Sequence, residues 1–219
     1  MVSVVTIKSA CSPHHRLLDP PHHALGYPTP ENAYSPLLDS EISAEERQLK
    51  FAAWITSYFV HSPSARDPVT PLRNLTRGIL EQRNGNPAKK PTSTNFTVAD
   101  VAAAAEVVSP SHGDVYSFGE HARSVHETVR IRALFGDLNE TSGPPVLPKV
   151  GISYIWCTES IWETVLAMRY VQKDIESPPN YHYPARSVRF IALEGGNHFV
   201  RDQSCQCHVT LTILHEDTL

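Results

Sequence analysis

The chain has 219 residues, room for one large domain or two small ones around a sizeable core. Nineteen Lys and Arg against 23 Asp and Glu leave a net charge of −4. That excludes a generic polyanion binder, which needs a basic stripe, so no nucleic-acid partner is expected. No apolar run approaches a membrane span. Eighteen prolines outnumber 10 glycines, leaving little glycine for a loop that cradles a phosphate or an oxyanion.

The four cysteines, Cys11, Cys157, Cys205 and Cys207, form no disulfide framework. The start lacks the basic n-region of a signal peptide. The N-x-T sequons at Asn74, Asn95 and Asn139 matter only in a secreted protein. A cytoplasmic location is therefore expected.

Residues 1–41 are rich in Pro and His, with one short strand-like piece, VSVVTI. Residues 42–135 look helical. Ser43 and Glu46 stand three apart as a capping box, followed by Leu49, Ala52, Ala53, Ile55, Tyr58 and Phe59 near helical spacing. Thr97 to Val108 and Gly119 to Phe135 are two further helical candidates, separated from the first by the polar loop NGNPAKKPTSTN. A Gly/Pro linker follows at 137–148. KVGISYIW reads as a buried strand, and Ser160 and Glu163 as a second capping box that opens a helix through Val171. Arg186 to Leu193 reads as another strand. Strand, helix, strand of this length predicts a βαβ unit with parallel strands. The fold class is thus α/β.

Open parallel sheets react at the carboxyl ends of their strands. Two clusters fall there, Cys157 to Ser160 and Glu194 to Phe199. The second holds the only adjacent glycine pair, Gly195-Gly196, which can turn the backbone sharply and aim His198 back across the strand ends. An imidazole in that place is the usual proton carrier near neutral pH.

VRFIALEGGNHFV resembles the last strand and catalytic-histidine loop of the α/β-hydrolase fold family. KVGISYIWCTES resembles the preceding strand and its acid-bearing turn. RLLDPPHHALGYP (Arg16 to Pro28) resembles the strand end after the nucleophile helix, where DPP-like sequences precede a lid. The resemblance implies a partial hydrolase-like parallel sheet with a large helical cap. Residues 1–41 would be a leader and strand end, 42–135 the cap, 136–200 the C-terminal βαβ of the core and 201–219 a divergent tail. It implies His198 as general base, supported either by Asp19, the place where certain haloalkane dehalogenases carry the acid, or by Glu159. The chemistry would be hydrolysis of an ester, epoxide or similar bond in a hydrophobic small molecule, without cofactor or metal.

The family's nucleophile stands in a G-x-S-x-G elbow, and that motif is absent. Ser117, in Tyr116-Ser117-Phe118-Gly119, has the right chain order ahead of Glu159 and His198, but Val115 occupies the place of the first elbow glycine. The expectation is an incomplete or inactive hydrolase-like chain whose early strands and elbow would precede residue 1. The rival is a non-catalytic binding or interaction protein that uses the cap groove. Cys205-x-Cys207-His208 is half a metal site. His14-His15 and His22-His23 read as surface residues of a Pro-rich stretch.

Overall fold

The computed structural model describes residues 14–97, 99, 119–135, 150–177 and 186–199. VSVVTI, Val98 and the candidate helix beyond residue 99, Ser117, the 137–148 linker and the whole 201–219 tail lie outside the described residues.

The class is α/β. Three parallel strands, β1 (His14–Leu18), β2 (Gly151–Cys157) and β3 (Val188–Leu193), form one sheet in the order β1-β2-β3. Leu18 pairs with Ile155, and Cys157 with Leu193. The strand ends that carry Asp19, Thr158 and Glu194 therefore lie side by side. The central strand buries Ile152, Tyr154 and Trp156 at every second position, the period expected of a pleated strand.

Helix α1 (Ala44–Ile55) starts at the predicted capping box: Glu46 N–H donates to Ser43 Oγ (3.3 Å) and Ser43 N–H to Glu46 Oε2 (3.0 Å). Of the apolar positions expected to pack, Trp54 and Phe59 are buried, but Leu49 is not. Leu49 is 74% exposed, while Trp54 is buried and donates its indole N–H to the Gln82 carbonyl (2.7 Å). A large ring with a satisfied donor gains more from burial than a leucine stripe does. Residues 56–97, where helix was expected outside the polar loop at 84–95, hold the short consecutive helical pieces Leu72–Asn74 and Leu75–Ile79 and otherwise only turns. Pro63, Pro68, Pro71, Pro87 and Pro91 each remove an amide donor and interrupt any longer helix.

Helix α2 (Glu120–Phe135) crosses the loop after β1 at Gly26. Gly26 has φ +73°, and a Cβ there would stand 2.2 Å from the Glu127 nitrogen, so both the conformation and the approach require glycine. Arg130 of α2 donates to the Leu25 carbonyl (2.8 Å) and covers the Tyr27 ring, 3.7 Å from its centroid.

Helix α3 (Trp162–Glu176) is the crossover between β2 and β3. It buries Trp162, Val165, Leu166, Ala167, Met168 and Val171, and its buried Arg169 donates to the carbonyls of Ala65, Asp67, Pro68 (3.1 Å) and Thr70 (3.0 Å). This guanidinium satisfies a whole turn of loop backbone, which ties residues 65–70 to the core.

Tyr154, fully buried in β2, has a hydroxyl that finds no hydrogen-bond partner among the described residues. Burial, reinforced by the nearby Asp19 carboxylate, holds its phenol well above the usual range. Tyr154→Phe keeps the ring and its packing on Phe190 (5.5 Å between centroids) and removes the unpaired hydroxyl. The variant is expected to be more stable by about 1–2 kcal/mol in urea unfolding. A loss of stability would mean that the hydroxyl has a partner.

Candidate functional site

The site forms where the three strands end. At the end of β1 the Asp19 amide still joins the sheet, donating to the Ile155 carbonyl (2.7 Å). Asp19 then turns into the left-handed region (φ +43°), which costs most residues about 1 kcal/mol but is tolerated by Asp. This turn sends its carboxylate under the neighbouring strand ends, where it is 1% exposed.

Three donors meet that carboxylate. Cys157 N–H donates to Oδ1 (2.9 Å), Ser160 Oγ–H to Oδ2 (2.6 Å), and the His198 ring approaches Oδ2 through Nδ1 (2.9 Å). A buried carboxylate so satisfied is a fixed acceptor. It fixes His198 with Nδ1–H towards Asp19 and leaves the Nε2 lone pair to take a proton. The His198 side chain keeps 24% of its surface exposed, so a reactant can reach the ring.

The loop that carries His198 is braced from two sides. Gly195 takes φ +70° and donates its N–H to Thr158 Oγ1 (2.9 Å). Asn197 is fully buried; its amide donates to the Thr56 carbonyl and to Thr92 Oγ1 (2.7 Å each), while Oδ1 accepts from Phe199 N–H (3.0 Å). Only one glycine of the pair, Gly195, has a positive φ.

Of the three residues singled out in the sequence, the structure brings together Asp19 and His198. Glu159 makes no bond to His198; its two oxygens accept from Lys89 Nζ (2.8 Å each). Ser160 is not the cap of α3: the first-turn cap position is Ile161, with no side-chain bond, and the Ser160 hydroxyl goes to Asp19 instead. A charge-assisted bond to a buried carboxylate outweighs one to a helix amide. The second capping box is thereby lost, and Glu163 faces His23 (Nδ1 to Oε2, 3.3 Å). His22 is no surface residue either; it is 1% exposed and packs beside Trp162 (5.2 Å between centroids). Sequence reasoning also missed Asn197, although its place beside His198 in a loop was a usable signal.

No hydroxyl or thiol partners the His198 ring among the described residues. Ser160 spends its proton on Asp19. Burial, reinforced by the Asp19 charge, pushes the Cys157 thiol far up, which keeps it protonated and unreactive.

Among the described residues no helix is long and apolar enough to cross a membrane. Comparison with protein-family models, with curated proteins and with solved structures finds no match for the chain.

Proposed function

We propose that Asp19 and His198 are the acid–base pair of an α/β-hydrolase-like site. His198 is the general base that draws a proton from a hydroxyl or water attacking an ester, epoxide or similar bond in a hydrophobic small molecule. Asp19 orients the ring and stabilises the imidazolium as it forms. The observation that carries this reading is the 2.9 Å contact between a buried carboxylate and a partly exposed imidazole at the carboxyl ends of parallel strands. Because no G-x-S-x-G elbow is present in the sequence, the 219-residue chain is expected to hydrolyse little ester by itself.

A small alcohol can stand in for the nucleophile. With p-nitrophenyl acetate as acyl donor, methanol, the acyl acceptor, should raise p-nitrophenol release by the wild-type chain. His198→Ala should lose at least about tenfold of that protein-dependent rate, since general-base catalysis contributes about 10²–10⁴-fold. An unchanged rate in His198→Ala would refute the assignment. It would favour the rival, a binding protein in which the pair only ties the strand ends together, a reading suggested by the absence of a partner hydroxyl among the described residues.

A further inference from the structure

Apart from the acid–base pair, a second cluster of polar side chains lies between the short helical turn His22–Leu25, just after Asp19, and the start of α3. His22, His23 and Glu163 each present one ligand atom, and the three atoms lie within 4.8 Å of one another. His23 Nδ1 stands 3.3 Å from Glu163 Oε2. A tetrahedral zinc ion with bonds of about 2.0 Å spaces its ligand atoms by about that distance.

The chemistry of His22 points the same way. Its Nε2 contacts Thr29 Oγ1 (3.0 Å), and its buried Nδ1 finds no hydrogen-bond partner among the described residues. Metal-bound histidines are typically held in this manner: one ring nitrogen donates to a second group, which fixes the tautomer and frees the other lone pair. An unpaired buried nitrogen otherwise costs stability with nothing in return. The set of two imidazoles and one carboxylate suits zinc, with a fourth position for water.

We propose that His22, His23 and Glu163 bind one zinc ion, with Thr29 orienting His22. The ion would clip the segment after Asp19 to the segment after Ser160, the two stretches that flank the buried carboxylate.

The test uses the full chain carrying Cys205→Ser, Cys207→Ser, His208→Ala and His215→Ala, so that the tail contributes no thiolate or imidazole. After stripping with EDTA, zinc chloride is titrated by calorimetry, and thermal unfolding is followed with and without zinc. The expected result is one zinc per chain and a higher Tm with zinc. Glu163→Gln and His23→Ala should each weaken zinc binding at least about tenfold, and Thr29→Val by about 10–100-fold. Glu163→Gln is nearly isosteric, so its metal-free melting curve reports whether it folds, and its Tm should no longer respond to zinc. Absence of stoichiometric binding by the tail-substituted chain would overturn the proposal. So would affinity undiminished in folded Glu163→Gln; the cluster would then be a neutral core histidine beside an ordinary His23–Glu163 ion pair.

Discussion

Asp19→Asn is expected to abolish as much of the methanol-dependent rate as His198→Ala does, while the chain stays folded. Asn keeps the shape of the side chain and tolerates the left-handed backbone at φ +43°. Its amide oxygen can still accept from Cys157 N–H, which now donates at 2.9 Å. The other carboxylate oxygen becomes an NH₂ group, and an NH₂ cannot accept from His198 Nδ1–H. The ring then carries its proton on Nε2, the atom that should receive one. In serine proteases the equivalent change costs about 10⁴-fold for this reason. Long-range proton–nitrogen NMR correlations give an independent readout: Nδ1–H in the wild type at neutral pH, Nε2–H in Asp19→Asn. Glu159→Gln should change neither rate nor tautomer, because Glu159 faces Lys89. Loss of activity in Glu159→Gln with an intact Asp19→Asn would reverse the assignment of the acid. Asp19→Ala is a harsher change. It leaves the Cys157 amide and the Ser160 hydroxyl without their acceptor, at about 1–3 kcal/mol each, so urea unfolding should show a loss of about 2–6 kcal/mol.

Acidification of the metal-free chain should cost about 3 kcal/mol between pH 6.5 and pH 4, through His22 alone. Burial lowers the His22 pKa from 6.5 to about 4; the Glu163 charge opposes the shift and His23 adds to it. The unfolded state therefore binds the proton more readily within that window. Stability is complete above the unfolded pKa and is lost as pH falls towards the folded one, at about 1.4 kcal/mol per unit. His61 acts in the same direction. Burial lowers its pKa against the backbone bond to Ser160 and the charges of Glu81 and Asp19, with Arg66 helping the shift. Its ring is held neutral by two contacts, Nε2 with the Ser160 carbonyl (2.8 Å) and Nδ1 accepting from Glu81 N–H (3.1 Å).

The carboxylates enter later. Burial raises the Glu163 pKa, but the His23 bond and the charges of His22, His23 and His198 outweigh it, leaving a net lowering from 4.5. Stability held by Glu163 is thus lost only below about pH 4.5. Urea unfolding in EDTA from about pH 7.5 to 4.5 isolates the histidine part. His22→Gln should flatten the slope over that range; an unaltered slope would show that His22 is not buried in the neutral form.

Several parts of this fold were legible in the residues themselves. The parallel pair β2 and β3 with the intervening helix α3 follows from apolar period and length, because each element must hide its own apolar side chains wherever it packs. The capping box of α1 is equally local, since Ser43 and Glu46 lie one turn apart and satisfy each other. His198 could be singled out because the turn that presents it follows directly on the end of a strand.

Other features depended on atoms far apart in sequence. The choice between Asp19 and Glu159 was open until the strand order set residue 19 beside residues 157, 160 and 198, while Lys89 came to Glu159 from a loop 70 residues away. Ser160 reads as a helix cap by spacing alone, and only a buried carboxylate from another strand takes its hydroxyl away. His22 and His23 look like surface residues in a Pro-rich stretch until Trp162, Thr29 and Glu163 close over them. The sequence by itself determined the strands β2 and β3, the start of α1, the helices α2 and α3, and which end of the sheet bears the polar loops, because those choices rest on short-range periodicity and capping. Only the tertiary structure decided which carboxylate meets His198 and which histidines are buried, because a side chain's hydrogen-bond partners and exposure are set by whichever distant segments pack against it.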